Sequence, residues 1–195
     1  MRMIAHKDYI ITPEKVLNSD EEKNLRRLCD RLMGTQKDHR NAVMILLALE
    51  CGLRASELLR LCIRDVDFVH GSVAIKSLKG SNARVLPISK RLTAEIRAHV
   101  LRAYKAEHAA QIPKDLSVFK ISYPRFEQVW RMFRPSPLKT LHCLRHTFAV
   151  NTYLRTRDIM LVKTALGHRR IENTMVYVNY IYAQDAMRKA LVVGE

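Results

Sequence analysis

Three short segments carry residues suited to chemistry at a phosphate. Gly52-Leu53-Arg54-Ala55-Ser56-Glu57-Leu58 places an arginine at the start of a helix with a glutamate three residues on. His142-Cys143-Leu144-Arg145-His146-Thr147-Phe148 holds a second arginine among histidines, and Leu166-Gly167-His168 is followed by Tyr177, nine residues beyond the histidine. A guanidinium stays charged at any working pH and offers a planar fork of donors that matches two phosphate oxygens at once. A tyrosine hydroxyl is a nucleophile with a pKa of about 10, so it needs its proton taken or its oxyanion stabilised. Attack on a phosphodiester puts extra negative charge on the non-bridging oxygens, which preorganised donors must meet. Arg54 and Arg145 are the candidates for that charge.

Each of these residues also has a bland reading. Arg54 can simply pair with Glu57 or Asp65, and a lone His142 is more often a satisfied core histidine. His146 reads as structural, and His39, His70 and His108 read as surface residues. Ser56 lies in no nucleophile-elbow context. His142 and His146 stand four apart with Cys143 between them, but no glutamate follows the first histidine and no third ligand is evident. No metal site is expected. Cys29, Cys51, Cys62 and Cys143 form no C-x-x-C pair, and three of them sit among apolar neighbours, so buried reduced thiols are expected.

The elements that must position these residues fit one domain of 195 residues. Nearly half the chain is apolar, which excludes a disordered class. The longest apolar run, Ala42 to Leu49, is far short of the ~20 residues that span a bilayer, and no signal peptide is evident. The formal charge is +15, with +3 in residues 1–83 and +12 in residues 84–195. A field gathered in one half points to a polyanion, nucleic acid first.

Periodicity predicts helices over 19–33 (opened by a Ser/Asp cap), 38–50 and the segment ASELLRL. Short strand-like pieces follow at Val66/Phe68, Val73/Ile75 and Val85 to Ile88, separated by His70-Gly71 and Lys79-Gly80-Ser81-Asn82 turns. Helical spacing returns over 89–110 and 122–134, from Lys139 to about Arg155, up to Leu166, and from Ile171 to about Tyr177. A separate amphipathic tail is predicted at 181–192. The fold class is mainly α with a small antiparallel β-sheet (α+β).

In this order the motifs resemble the catalytic domain of the tyrosine recombinase (phage integrase) family. That pattern has an arginine in G-L-R-x-x-E-L, a lysine in a β-hairpin, then H-x-x-R, then L-G-H with a tyrosine nine residues on. Lys79-Gly80-Ser81-Asn82-Ala83-Arg84-Val85-Leu86-Pro87-Ile88 is similar to its K-G-x-x-x-R-x-x-P-[LI] hairpin. The resemblance covers Thr12 to Tyr182. It implies Tyr177 as nucleophile, Arg54 and Arg145 on the phosphate, His168 as a further donor, His142 as proton acceptor or phosphate orienter, and Lys79 protonating the departing 5′-oxygen. Glu57 would support the site, and Lys139, Arg169 and Arg170 would contact DNA beside the cut. Lys76 competes with Lys79, and Tyr180 and Tyr182 with Tyr177, but their contexts and spacings do not fit.

The implied activity is site-specific cleavage and rejoining of double-stranded DNA through a 3′-phosphotyrosine, without metal, ATP or other cofactor. A homotetramer on paired sites and a cytoplasmic, nucleoid-associated location are also implied. The division expected is an N-terminal arm (1–11), a catalytic domain (12–182) and a C-terminal tail (183–195) suited to packing on a neighbouring protomer. The chain has no room for the additional helical domain that closes the clamp in most members, so it resembles a short form or an isolated catalytic fragment. Two other departures touch DNA affinity and site choice: Arg155-Thr156-Arg157-Asp158 lacks a frequent glycine, and Asn82 stands where a second hairpin lysine is common. The alternatives are type IB topoisomerase-like relaxation, a non-cutting DNA-binding remnant, and a basic RNA-associated protein that would leave the ordered motifs unexplained.

Overall fold

The computed structural model describes residues 9–35, 37–78, 80–108 and 111–191, with side chains as far as 187. Among the described residues, eight α-helices and three short strands follow one another. Helix α1 (Ser19–Met33) packs on α2 (His39–Cys51), α3 (Ala55–Leu59) is short, and strands β1 (Val66–Asp67), β2 (Ser72–Ile75) and β3 (Arg84–Pro87) come next. Helices α4 (Lys90–Tyr104), α5 (Tyr123–Phe133), α6 (His142–Thr156), α7 (Ile159–Leu166) and α8 (Glu172–Leu191) complete the fold.

The α1 cap is Asn18, one residue before the Ser/Asp pair expected to supply it. Its Oδ1 accepts from the Asp20 and Glu21 amides, and Glu21 returns a bond to the Asn18 amide. Helix α2 is buried on nearly every side, with Val43, Ile45 and Leu47 wholly enclosed, as its apolar run predicts. It ends at Gly52 in the left-handed conformation (φ 59°). A Cβ there would lie 2.3 Å from the Phe148 ring of α6, so only glycine permits this crossing of α2 and α6.

The sheet is antiparallel in the order β1-β2-β3. Val73 faces Val66 on one side and Leu86 on the other, and all three side chains enter the core, while Val85 on the opposite face is exposed. The main core joins α1 to α5 and the sheet. A second, smaller core unites Ile11 and Val16 with Ala149, Val150, Val162, Leu166, Tyr177 and Ile181.

Two expectations are corrected here. Residues 171–191 are not two pieces: α8 runs unbroken from Glu172 to Leu191. No glycine or proline stands in Val178-Asn179-Tyr180, and Tyr177 and Ile181 lie one turn apart on the face that meets the second core. The tail's last residues, 192–195, lie outside the described residues. His39 is not a surface residue; it is buried, with its Nε2 2.6 Å from Glu95. No described helix is long and apolar enough to cross a membrane.

Candidate active site

The site is organised by one carboxylate. Glu57 lies in the first turn of α3, and its side chain is fully enclosed. It reaches back to the Arg54 amide (2.9 Å), as an N3 glutamate does at a helix start. It also pairs with Arg54 Nη1 at 3.2 Å, with both Arg84 terminal nitrogens at 2.8 and 3.1 Å, and with Arg145 Nη1 at 3.8 Å, and it accepts from Ser81 Oγ at 2.9 Å. Burial pushes its pKa up, but the Arg84 hydrogen bonds, the Arg54 amide and the Arg84 and Arg145 charges outweigh this and bring it to about 2. Arg54 thus partners Glu57; the other partner considered, Asp65, pairs instead with Lys76 at 3.2 Å.

Arg145 is held as firmly from the other side. Its Nη1 donates to the Gly52 carbonyl (2.6 Å) and its Nη2 to the Leu166 carbonyl (2.7 Å), so the guanidinium ties the ends of α2 and α7 together. Burial and the Arg54 charge lower its pKa to about 10, which leaves it cationic at neutral pH. Arg54 is the more open of the pair, with 29% of its side chain exposed.

Leu166-Gly167-His168 turns out of α7 through Gly167 (φ 69°). A Cβ on Gly167 would stand 2.7 Å from Arg84 Nη1 and 2.9 Å from the Asn82 carbonyl, so this glycine lets the β2–β3 hairpin dock on the turn. The Asn82 amide donates to the Gly167 carbonyl (2.8 Å), Ser81 bridges to His168, and Arg84 Nε donates to the Ala165 carbonyl (2.7 Å). Lys79, on the same hairpin, lies outside the described residues. His168 is buried with its Nδ1 2.9 Å from Thr174 Oγ1. Burial first, then Arg145, Arg54 and Arg84, lower its pKa to about 3.

Tyr177 is only 2% exposed, and its hydroxyl lies 3.0 Å from Nδ1 of His146. Burial pushes its pKa up to about 12 against the pull of Arg145 and Arg54. His142 keeps solvent access, and its ring meets the edge of His146 with centroids 4.6 Å apart. Desolvation and the Arg145 and Arg54 charges push its pKa down. Tyr182 is exposed at 68% and Tyr180 is half-buried.

Arg54, Glu57 and Arg145 thus form one ion-pair cluster with Arg84, while Tyr177 and His142 both touch His146; the Arg54 and Arg145 charges bear on His142, His168 and Tyr177 alike. Arg169 and Arg170 are exposed beside His168. Lys139 is a correction: it points inward, with Nζ donating to the Val16 (2.6 Å) and Pro13 (2.9 Å) carbonyls and lying 3.2 Å from Glu21. Its charge ties the N-terminal segment to α6, so it has no donors left facing outward to track phosphate. Four residues in contact with the site had no role assigned from sequence. Arg84 and Ser81 sit within the hairpin motif itself. Thr174 carries no signal beyond its place one turn before Tyr177, and His146, read as structural, touches the phenol. Among the described residues no cluster of histidine, cysteine, aspartate and glutamate could hold a metal ion.

Replacing Glu57 by Gln keeps the shape and removes the charge that Arg84 and Arg145 share. Stranding buried cations costs about 3–5 kcal/mol, or on the order of 10 °C in Tm for a domain this size. Denaturant melts check it: a loss below ~1 kcal/mol would show that the carboxylate does not balance these arginines.

Acid should destabilise the protein through two sets of groups. His142, His146 and His168 have folded pKa values below 6.5, so the unfolded chain takes up protons first and stability falls as pH drops from about 6.5 towards 3. Glu57 is depressed to about 2, so its contribution, full above the unfolded carboxylate value, is lost below it as pH falls. A Tm lower by at least roughly 5 °C at pH 5 than at pH 7 is expected; a flat profile would contradict the lowered pKa values of these imidazoles.

A mainly helical domain whose small sheet docks a hairpin against an arginine–carboxylate–tyrosine cluster has the fold of tyrosine recombinase catalytic domains. The solved XerA recombinase superposes with a TM-score of 0.70 at 19% identity, covering 99% of this chain and 68% of that one. The catalytic domain of bacteriophage HP1 integrase gives 0.60 at 23%, covering 90% and 94%. Residues 15–184 match the phage integrase family, and the chain belongs to it. Tyrosine recombinase XerA of Pyrococcus horikoshii is 30% identical over 186 residues, covering 92% of this chain and 62% of the relative. The integrase of Escherichia phage P2 is 30% identical over 154 residues, covering 77% and 41%. The chain thus spans about three fifths or less of the length of these curated relatives.

Proposed function

We propose that the chain is the strand-cleaving and rejoining domain of a site-specific DNA recombinase. The observation that carries the reading is that Arg54 and Arg145, fixed on one buried carboxylate, lie close enough to Tyr177 and His168 for their charges to act on both. In this mechanism Tyr177 attacks a scissile phosphate and its phenolic oxygen displaces the 5′-oxygen, leaving a 3′-phosphotyrosine. A 5′-hydroxyl then attacks that phosphorus and releases the tyrosine. The phosphodiester energy is kept in the intermediate, so rejoining needs no nucleotide hydrolysis. Arg54 and Arg145 meet the oxygens whose charge grows in the transition state. For His168 to donate to phosphate its proton must sit on Nε2, which has the Thr174 hydroxyl donating to Nδ1. Lys79 would protonate the leaving oxygen. Relatives support this chemistry on DNA: a solved XerH site-specific recombinase is bound to its difH substrate after cleavage. Two pairs of strands exchanged within a homotetramer, in a cytoplasmic, nucleoid-associated setting, complete the proposal, with Arg169 and Arg170 on flanking phosphates.

The test uses a library of nicked duplexes with randomised arms, from which protein-linked strands are recovered after denaturation. The expected product is a DNA adduct that peptide mass spectrometry maps to Tyr177. Absence of any adduct, or one on Tyr180 or Tyr182, would overturn the proposal. Strand exchange between two copies of the recovered duplex separates recombination from simple relaxation.

A further inference from the structure

We propose that His146 accepts the Tyr177 proton and that Tyr9 passes it to solvent, in a relay of three side chains running from the buried phenol to the surface. The inference rests on the strand-cleavage reading above and names the base that reading lacks. His146 lies on α6 and is buried, with both ring nitrogens engaged: Nδ1 at 3.0 Å from the Tyr177 hydroxyl and Nε2 at 2.9 Å from the Tyr9 hydroxyl. Tyr9 is 52% exposed, which puts the outer end of the chain at the protein surface, where its hydroxyl would hand the proton to water. His142, expected to take this proton, is in contact with the His146 ring but has no hydrogen bond to Tyr177 among the described residues. A general base must lie within hydrogen-bond reach of the proton it removes, and His146 does.

The step balances without an imidazolium. Tyr177 donates to the bare Nδ1 while Nε2–H donates to the Tyr9 oxygen. As the Tyr177 O–H bond breaks, an Nδ1–H bond forms, Nε2 gives its proton to the Tyr9 oxygen, and Tyr9 gives its own to water. Tyr177 becomes the phenolate, His146 ends as the other neutral tautomer, and Tyr9 is unchanged. The surroundings favour this route. Lys15 from the N-terminal segment, His142 and Arg145 from α6, and His168 from the turn after α7 surround His146, and Arg145, Arg54 and Tyr9 bear on Tyr177. With burial, these groups hold the His146 pKa near 3, so the ring stays neutral and conducts a proton rather than storing one. The same arginines favour the phenolate.

The test compares wild type with Tyr9→Phe and His146→Gln in the full chain, on a nicked duplex recovered by the covalent capture above. Single-turnover adduct formation is followed from pH 6 to pH 10 alongside DNA retention on native gels. Near pH 7 we expect Tyr9→Phe to slow cleavage about tenfold and His146→Gln about a hundredfold or more, within the range of general base catalysis. Both deficits should close as hydroxide takes over at high pH, with DNA affinity within twofold of wild type. A deficit that does not change with pH would mean packing alone, and unaltered rates would leave no relay. Faster cleavage by Tyr9→Phe would make Tyr9 a restraint. Any of these overturns the proposal. A second arm needs no DNA: ¹⁵N spectra at pH 7 should show His146 with one protonated and one bare ring nitrogen, and Tyr9→Phe should move the Nε2 signal. A doubly protonated ring at pH 7 overturns the relay. If wild type makes no adduct, the cleavage reading fails as well; if it does and the variants match it, the relay alone fails.

Discussion

Tyr177→Phe is expected to leave a folded protein that binds DNA and forms no covalent adduct. The substitution removes one oxygen from a ring packed among Ile11, Val150, Leu166 and Ile181, so the volume of the second core is kept. What is lost in stability is the hydrogen bond to His146, with one buried ring nitrogen left unpaired, or about 1–2 kcal/mol. What is lost in chemistry is the only atom able to become the phosphotyrosine oxygen, so adduct should fall below detection, at least about 10⁴-fold down. Native-gel retention, thermal melts and denaturing-gel adduct yield check the three parts separately. Adduct at wild-type level would remove Tyr177 from the mechanism, whatever the family pattern.

Arg145→Ala is expected to lose cleavage by about 10³-fold or more, the scale seen when an arginine that meets transition-state charge in phosphoryl transfer is removed. Its burial adds a second effect. Deleting the side chain strands the Gly52 and Leu166 carbonyls and leaves Glu57 one cation poorer, so a stability loss of about 2–4 kcal/mol should accompany it. Arg145→Lys separates the two. It keeps the charge but not the fork that spans both carbonyls, so it should fold better than Ala and still cleave about a hundredfold slower than wild type. Flanking phosphate contacts dominate affinity, so duplex retention should change only a few-fold in the lysine variant. Wild-type cleavage by Arg145→Lys would reduce this arginine to a structural tie.

The sequence was most readable where period and punctuation agree. The enclosed run of α2, the glycine that ends it, and the alternation of Val73 and Leu86 each impose their local geometry, and the family pattern brought Arg54, Arg145, His168 and Tyr177 into view by spacing. What escaped depends on contacts between distant segments. Lys139 is basic and flanks a motif, but only the fold shows that the Pro13 and Val16 carbonyls stand over it. His146 meets Tyr177 across 31 positions of sequence and Tyr9 across 137, and neither spacing repeats any local pattern. A break is expected from sequence after Tyr177, but with no glycine or proline there, burial of Tyr177 and Ile181 on one face carries α8 through.

The Glu57 cluster also sets an electrical preference. Three guanidiniums face one carboxylate, which leaves the pocket two positive charges in excess at neutral pH. A DNA phosphodiester carries a single negative charge and would only half cancel that surplus. The pentavalent species formed on attack carries two and would cancel it. On the proposed chemistry, the enclosed glutamate thus acts as a trim weight: without it the pocket would hold an intact phosphate too tightly, and with it neutrality is reached only at the top of the barrier.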